Sequence, residues 1–286
     1  MAERLPHNAA GDLFVDATCI DCDTCRWMAP EVFVRRAGQS SVARQPRGTQ
    51  ERLRAEMALL SCPTGSIRTE QKRDLAAARA ALPDSIDGPV LHCGYHGEGS
   101  FGAASYLVLR PEGNVLVDSP RFTRPLVRRL EELGGVRTLF LTHRDDVLDH
   151  RRFAAHFGCE RVLHEGDVTT GTRDVETRIA GVEPVRLADD LLVVPTPGHT
   201  RGSACLLASG RYLFTGDHLA FSARLGHVYG FRSACWYDWA EVLASTERLR
   251  AHSFEWILPG HGRRCHFEPA EMRAQLERCV AWMRTA

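Results

Sequence analysis

From about residue 90 onwards, the chain consists of short apolar runs separated by polar turns. Apolar runs bounded by glycine, proline or aspartate are typical of buried strands, whereas apolar positions that recur every three or four residues predict amphipathic helices. Strands are therefore predicted at residues 105–109, 114–118, 138–141, 161–163, 191–194, 204–207, 212–214 and 256–258. Helices are predicted at residues 124–133, 239–249 and 269–284. This mixture predicts an α/β domain, with 105–109 and 114–118 as a hairpin.

The residues before this domain have a different pattern. Four cysteines lie between Cys19 and Cys62, and an Ala/Arg-rich, helix-like stretch follows at 74–82. Proline, aspartate and glycine at 83–89 then interrupt the pattern. We therefore expect a small domain at residues 1–75, a linker at 76–89 and the larger domain at 90–286.

The composition narrows the class of protein. The 286 residues include 36 basic and 36 acidic side chains, a balance that argues against a dedicated nucleic-acid binder. Charges near the start and the lack of a long apolar run argue against a signal peptide or a membrane span. Ten cysteines in such a chain indicate metal or redox use rather than disulfides, so we expect a cytoplasmic protein without nucleic-acid or membrane partners.

Cys19, Cys22 and Cys25 form a C-x2-C-x2-C motif, and the distant Cys62 precedes Pro63. Three closely spaced thiolates completed by a fourth are typical of iron–sulfur ligation. Zinc is the competing interpretation, although structural zinc sites usually take ligands in two pairs. Buried free cysteines at this spacing are the least favoured interpretation.

This segment, over about residues 10 to 70, resembles a bacterial-type ferredoxin. The position before Pro30, where a two-cluster ferredoxin carries a further cysteine, is Ala29. The resemblance therefore implies a single 4Fe-4S cluster held by Cys19, Cys22, Cys25 and Cys62. A 3Fe-4S form, lacking the iron at Cys22, stays open.

A second set of metal-binding residue types lies in the larger domain. Histidines and aspartates occupy Gly-rich turns or segments directly after predicted strands, so several strands can direct them into one cleft; they are His143, Asp145, Asp146, Asp149, His150, His199, Asp217 and His261. Imidazole and carboxylate ligands suit zinc, iron or manganese, and one or two such ions can activate a water molecule.

In this order these residues resemble the metallo-β-lactamase superfamily, in its glyoxalase II-like branch, over roughly residues 90 to 275. The resemblance implies a four-layer αββα sandwich with metals at one edge. It implies that His143 and His199 bind the first metal and that Asp217 bridges to the second. The second metal would be bound by Asp149, His150 and His261, and Asp149 would also orient the attacking hydroxide as the catalytic residue.

The motif departs from the family pattern at one point. The family has H-x-H-x-D-H, whereas this chain reads H-x-D-D-x-x-D-H from His143 to His150. Asp145 most simply replaces the second histidine, with Asp146 as the alternative ligand or a supporting residue. An oxygen donor in place of imidazole favours iron or manganese relative to the all-histidine site. His164, which follows a strand, is expected either to support the site or to be structural.

Two functions follow from these sites. The first is a metal-dependent hydrolase that acts on a small-molecule ester, thioester, lactone or phosphoester. The alternative is an iron-dependent redox enzyme of the same fold, resembling di-iron oxidoreductases or sulfur dioxygenases, which receives electrons from the cluster and from an electron-transfer partner. The hydrolase is the favoured interpretation because the ligand set for a metal-bound hydroxide is close to complete.

Overall fold

A computed structural model of the protein describes residues 3–286. The chain forms two compact units: one contains the residues up to Asn114 together with Pro120–Val136, and the other contains Val115–Ser119 and Arg137–Ala286. Within the described range, no helix has the length and apolar character needed to cross a membrane.

The helices and strands follow one another along the whole described chain. The α-helices are α1 (Thr24–Met28), α2 (Gly48–Ser61), α3 (Ala76–Ala80), α4 (Arg124–Glu132), α5 (His150–Phe157), α6 (Trp239–Leu249) and α7 (Pro269–Met283). The β-strands are β1 (Leu13–Val15), β2 (Phe33–Arg36), β3 (Gln39–Val42), β4 (Ile67–Thr69), β5 (Asp84–Asp87), β6 (Val90–His92), β7 (Tyr106–Val108), β8 (Val115–Val117), β9 (Thr138–Phe140), β10 (Glu160–His164), β11 (Thr177–Ile179), β12 (Val185–Ala188), β13 (Leu191–Pro195), β14 (Ala204–Ala208), β15 (Tyr212–Gly216), β16 (Ala220–Ser222), β17 (His227–Tyr229), β18 (Trp256–Pro259) and β19 (Cys265–His266).

The hydrophobic pattern predicts the buried elements well. The three predicted helices form as α4, α6 and α7, and the predicted strands form as β7, β8, β9, β10, β13, β14, β15 and β18. The pattern gave no indication of short strands such as β2 and β12, because most of their side chains are half-buried or exposed. Such strands lack the apolar alternation on which a sequence-based prediction depends.

In the first unit, antiparallel pairs join β1 to β4 and β2 to β3, and a further antiparallel set runs in the order β5, β6, β7. The segment 76–89, predicted as a linker, contains α3 and β5, and β5 pairs directly with β6. The domain boundaries stay a prediction, but this segment has regular structure.

In the second unit, strands β8, β9, β10 and β11 are parallel. A six-stranded sheet runs in the order β12, β13, β14, β15, β18, β19, and its pair β15 and β18 is also parallel. Helices α6 and α7 contribute buried apolar residues to the core against this sheet, among them Val242, Leu276 and Met283. Because the carboxyl ends of parallel strands meet at one edge of a sheet, residues that follow β8 and β9, or β15 and β18, are brought together.

We expect Leu213→Ala, in β15, to lower the free energy of unfolding by about 2–5 kcal/mol, because Leu213 is fully buried and the change leaves a cavity. Denaturant unfolding of the full chain measures this. The control is Val182→Ala, since Val182 is 54% exposed and its truncation should change stability by less than about 0.5 kcal/mol. Equal effects of the two changes would contradict this account of the core.

Candidate metal centres

The four cysteines predicted to bind iron lie around one cavity in the first unit. Cys19, Cys22, Cys25 and Cys62 all line it. Cys25 lies on α1, and Cys62 follows directly after α2. Four sulfur donors around one cavity fit an iron–sulfur cluster, so the residues that the spacing predicted are brought together.

One buried cation, the Arg26 guanidinium, holds the segment that runs from Cys19 to the start of α1. Arg26 forms ion pairs with Asp21, at 2.6 Å, and with Asp23, at 2.5 Å. Both aspartates have left-handed backbone conformations, with φ of 60° and 67°, which turn the chain sharply around Cys22. The Arg26 pairs therefore stabilise the backbone that directs the cysteine side chains to the cavity.

Burial raises the pKa of the Cys25 thiol and that of the Cys22 thiol. Such thiols are poor free nucleophiles at neutral pH, whereas coordination to a metal ion deprotonates them. The chemistry of these cysteines therefore suits cluster ligation better than thiol catalysis.

The second centre forms in the second unit, where several strand ends meet. His143 comes shortly after β9, His199 lies between β13 and β14, Asp217 directly follows β15, and His261 comes shortly after β18. His143, Asp145 and His199 have ligand atoms within 4.8 Å of one another, and the same holds for His143, Asp146 and Asp217. The structure thus brings these predicted ligands from separate turns into one place.

Three buried atoms at this centre have no hydrogen-bond partner among the described residues: His143 Nε2, His199 Nε2 and Asp146 Oδ2. Each imidazole Nε2 lies 3.8 Å from Asp217 Oδ2, and His143 Nε2 lies 3.8 Å from Asp146 Oδ2. Buried polar atoms without partners are costly, and coordination to a cation removes that cost. The donor set therefore fits a divalent metal ion.

Hydrogen bonds select the imidazole nitrogen that faces the centre. His199 Nδ1 lies 2.5 Å from the Ala234 carbonyl oxygen, which can only accept, so Nδ1 carries the proton and Nε2 keeps its lone pair. Thr142 Oγ1 donates to the Asp118 carboxylate and so accepts from His143 Nδ1, 2.9 Å away. Both histidines thus present a basic Nε2 to the same site, as metal-binding histidines do.

The charges at the centre are strongly coupled. Burial lowers the pKa of His143 to about 4, so its imidazole is neutral and able to bind a metal at pH 7. Burial would raise the pKa of Asp217, but His261, His143 and His199 hold it below its ordinary value. Burial and the neighbouring Asp217 raise the pKa of Asp146 well above its usual range. Burial likewise raises the pKa of Asp118 to about 7.

Asp145 and Asp146 take different places, although the sequence offered them as alternatives. Asp145 Oδ2 lies 3.5 Å from His199 Nε2 and its side chain is 45% exposed, whereas Asp146 is buried beside Asp217. Gly260 makes room for this pair, because a Cβ there would lie 2.9 Å from Asp146 Oδ2 and 3.1 Å from Asp217 Oδ1. Both aspartates are therefore close enough to serve the centre.

The structure does not place Asp149 and His150 in either ligand group. Asp149 precedes α5, and its carboxylate lies 3.4 Å from Arg152 Nη1. His150, the first residue of α5, lies 3.2 Å through Nε2 from the Gly171 carbonyl oxygen and 3.3 Å through Nδ1 from Arg161 Nη1. The two extra residues before Asp149 carry this pair to the start of a helix, and their assignment as ligands stays a prediction that this geometry does not support.

His261 and His164 differ in their relation to the centre. His261 Nδ1 lies 2.7 Å from Asp217 Oδ1, so this predicted ligand contacts the centre through the carboxylate. His164 instead contacts the Gly181 carbonyl oxygen, at 2.8 Å, and accepts a hydrogen bond from Gly166 N, at 3.1 Å. Neither of these contacts links His164 to the metal centre, so they do not support a role for it there.

Two buried carboxylates that support the centre were not predicted from the sequence. Asp118 accepts hydrogen bonds from Thr142, as described above, and Asp167 accepts from Arg144 N at 2.9 Å and from Thr200 Oγ1 at 2.5 Å. Asp167 therefore ties together the two loops that carry His143 and His199. The signal that could have found Asp118 is its place at the end of a predicted strand, close to where the ligands themselves lie.

The fold and the cysteine segment both match known proteins. Residues 15–69 match the family model of the 4Fe-4S single cluster domain of Ferredoxin I, so this part of the chain is a ferredoxin-type single-cluster domain. Among solved structures, two that superpose on the chain are a DIM-1 metallo-beta-lactamase and the BLEG-1 B3 metallo-beta-lactamase. The chain therefore has the metallo-β-lactamase fold, and the predicted fold class is confirmed.

The likeness to these structures is one of fold. The DIM-1 enzyme superposes with a TM-score of 0.53 at 15% identity, over 70% of this chain and 95% of its own. BLEG-1 superposes with a TM-score of 0.52 at 16% identity, over 68% of this chain and 99% of its own. ETHE1 from Myxococcus xanthus reaches 0.49 at 18% identity, over 67% and 84%. No curated protein sequence matches the chain.

We expect Thr142→Val to weaken metal binding at the second centre by about 10- to 100-fold, because it removes the hydroxyl that joins Asp118 to His143 Nδ1. Competition with a chromogenic chelator measures the affinity. Thr246→Val is the matched control, since this buried hydroxyl contacts Val242 O and His218 instead. An unchanged affinity in Thr142→Val would show that the Asp118–Thr142–His143 chain does not orient the ligand.

Proposed function

We propose that the protein is a metal-dependent hydrolase that acts on a small-molecule ester, thioester, lactone or phosphoester. The observation that carries this proposal is the convergence of His143 Nε2, His199 Nε2 and Asp146 Oδ2, all buried and without partners, beside the Asp217 carboxylate. A metal ion bound by these atoms would hold a water molecule and a polarised carbonyl or phosphoryl oxygen together.

His143, His199 and Asp217 would hold one divalent ion, with Asp145 as a further oxygen donor. His261 offers a ligand for a second ion, and zinc, iron and manganese all suit these ligand types. When bound, the metal lowers the pKa of a water molecule and polarises the oxygen of the scissile group.

Asp146 is the residue best placed to handle a proton at this site. Its Oδ2 is buried and unpartnered, and burial together with Asp217 raises its pKa well above the ordinary carboxyl range. A buried carboxylate beside the metal ligands can exchange a proton with a water molecule and with a leaving group. We therefore assign to Asp146 the hydroxide-orienting role that the family resemblance implied for Asp149, and we add proton transfer to it.

Asp217 and His261 act as a pair in this scheme. His261 Nδ1 lies within 2.9 Å of both Asp217 oxygens, so it neutralises part of the carboxylate charge and fixes the direction of that side chain.

The ten cysteines are all free of disulfides. This state fits a reducing compartment, and we place the protein in the cytoplasm.

We expect Asp146→Asn to lower kcat by about 10²- to 10⁴-fold, because the amide keeps the shape of the carboxyl group but cannot accept the proton. The measurement is hydrolysis of a panel of p-nitrophenyl esters, thioesters, lactones and bis(p-nitrophenyl) phosphate, with metal content determined on the same sample. Asp189→Asn is the control, since Asp189 is exposed. A metal-loaded Asp146→Asn variant with full activity would refute the assignment.

An iron-dependent redox reaction is the second candidate, because the donor set also suits it. Two imidazoles and a carboxylate with open positions are typical of non-haem iron sites, and the carboxylates Asp145 and Asp146 add further oxygen donors. In this case the ferredoxin-type domain would receive electrons from an external electron-transfer partner and supply them to the reaction.

Metal content and the cluster variant Cys62→Ser separate the two candidates. For the hydrolase, we expect Cys62→Ser to lose the cluster but to keep ester or phosphoester hydrolysis within about twofold, because hydrolysis needs no electron. For the redox enzyme, turnover with an electron donor stops, and anaerobically purified protein contains iron at the second centre. Cys93→Ser, at a buried cysteine that does not line the cluster cavity, controls for the effect of the substitution on folding.

A further inference from the structure

A buried polar chain leads away from the cluster cavity inside the first unit. Thr24 Oγ1 lies 3.5 Å from Cys22 Sγ and 3.1 Å from His96 Nδ1. His96 Nε2 in turn lies 2.7 Å from His92 Nε2. Thr24, His96 and His92 are 2%, 1% and 0% exposed, so the chain is shielded from water. Neither the cluster ligands nor the metal centre of the second unit uses these side chains.

The direction of the hydrogen bonds in this chain follows from one carbonyl group. His96 Nδ1 lies 2.7 Å from the Gly102 carbonyl oxygen, which can only accept, so Nδ1 carries a proton. Nδ1 therefore cannot accept the proton of the Thr24 hydroxyl. A cysteine bound to iron is a thiolate with no proton to donate, so in the cluster-bound protein the contact between Thr24 Oγ1 and Cys22 Sγ requires the hydroxyl to be the donor. The neutral His96 then has its lone pair on Nε2, where it accepts from His92 Nε2.

The side chains around the two imidazoles hold this arrangement in place. The His92 and His96 ring centroids are 5.0 Å apart, and the Trp27 ring lies 5.0 Å from His92 and 6.2 Å from His96. Only glycine fits at position 102, because a Cβ there would lie 2.9 Å from Cys22 Cβ and 3.1 Å from Cys22 Sγ. Gly102, whose carbonyl orients His96, thus also lies close to Cys22, at the end of this hydrogen-bonded chain.

We propose that Thr24, oriented by the His92–His96 pair, donates a hydrogen bond to the Cys22 sulfur and thereby raises the reduction potential of the cluster. Hydrogen bonds to the sulfurs of an iron–sulfur cluster stabilise the reduced, more negative state, and they are stronger in a buried site. Thr24, His96 and His92 are positioning residues in this proposal, because they act on the cluster through Cys22. The proposal depends on the cluster and not on the reaction at the metal centre.

The Thr64 hydroxyl also lies near a cluster cysteine, but its proton points away from the sulfur. Thr64 therefore provides a matched control. Thr64 Oγ1 lies 3.7 Å from Cys62 Sγ and 2.5 Å from Ser66 Oγ. Ser66 Oγ lies 2.7 Å from Thr18 Oγ1, which donates to the Asp16 carboxylate at 2.5 Å. Because a carboxylate only accepts, each hydroxyl of this chain donates towards Asp16, and the Thr64 proton points away from Cys62.

The test is the midpoint potential of the cluster in the full chain, from mediated redox titration followed by electron paramagnetic resonance. We expect Thr24→Val to lower the potential and to raise the frequency of the Fe–S(Cys) stretch in resonance Raman spectra, since the sulfur loses a hydrogen bond. Thr24→Ser, which restores the hydroxyl, should return both values towards those of the unaltered protein. Thr64→Val should leave the potential unchanged.

His96→Phe tests the orienting role with the ring volume retained, and we expect it to lower the potential by less than Thr24→Val does. It also carries the test if Thr24→Val fails to retain its cluster. An unchanged potential in a cluster-loaded Thr24→Val or His96→Phe variant would overturn the proposal, as would an equal shift in Thr64→Val. Hydrolytic activity does not enter these measurements, so failure here is distinguishable from failure of the proposed function.

Discussion

The second unit depends on the burial of several carboxyl groups at one end of its sheets. Asp118, Asp146 and Asp217 lie in the same buried region, and the imidazoles of His143 and His199 lie close to Asp217. Carboxylates this close repel one another, and burial adds the cost of removing them from water. The shifts follow from this: the pKa of Asp146 rises, and that of Asp217 falls only because histidines surround it. A bound cation is the simplest counterweight to this accumulation of charge.

Both metal centres use the same device to aim their ligands. At the second centre a carboxylate and a threonine, Asp118 and Thr142, orient His143 from behind, while the Ala234 carbonyl orients His199. At the cluster cavity, the Gly102 carbonyl fixes the proton of His96 on Nδ1. In our proposal the Thr24 hydroxyl therefore donates its proton to the Cys22 sulfur. In each case a carboxylate or carbonyl oxygen, which accepts but cannot donate, fixes the direction of the hydrogen bonds in the chain that ends on it. Ligand chemistry is thus decided by residues that do not touch the metal.

The departure from the family motif changes the chemistry as well as the geometry. Replacing an imidazole by Asp145 and placing Asp146 beside Asp217 makes the centre richer in oxygen donors. Moving Asp149 and His150 to the start of α5 directs His150 towards Arg161 and Gly171. The same fold therefore brings together a set of metal-binding side chains different from the one that its motif order suggests, and this set would suit hydrolysis and non-haem iron chemistry alike.

The amino-acid sequence by itself determined the buried elements, the cluster cysteines and the order of the metal-site histidines. These features depend on local spacing: apolar runs form strands, C-x2-C-x2-C surrounds a cluster, and ligands follow strand ends. Only the tertiary structure decided the positions of Asp145, Asp146, Asp149 and His150 and the hydrogen bonds of Asp118 and Asp167. Those outcomes depend on which side chains from distant segments meet in a buried space, and spacing along the chain carries no information about such meetings.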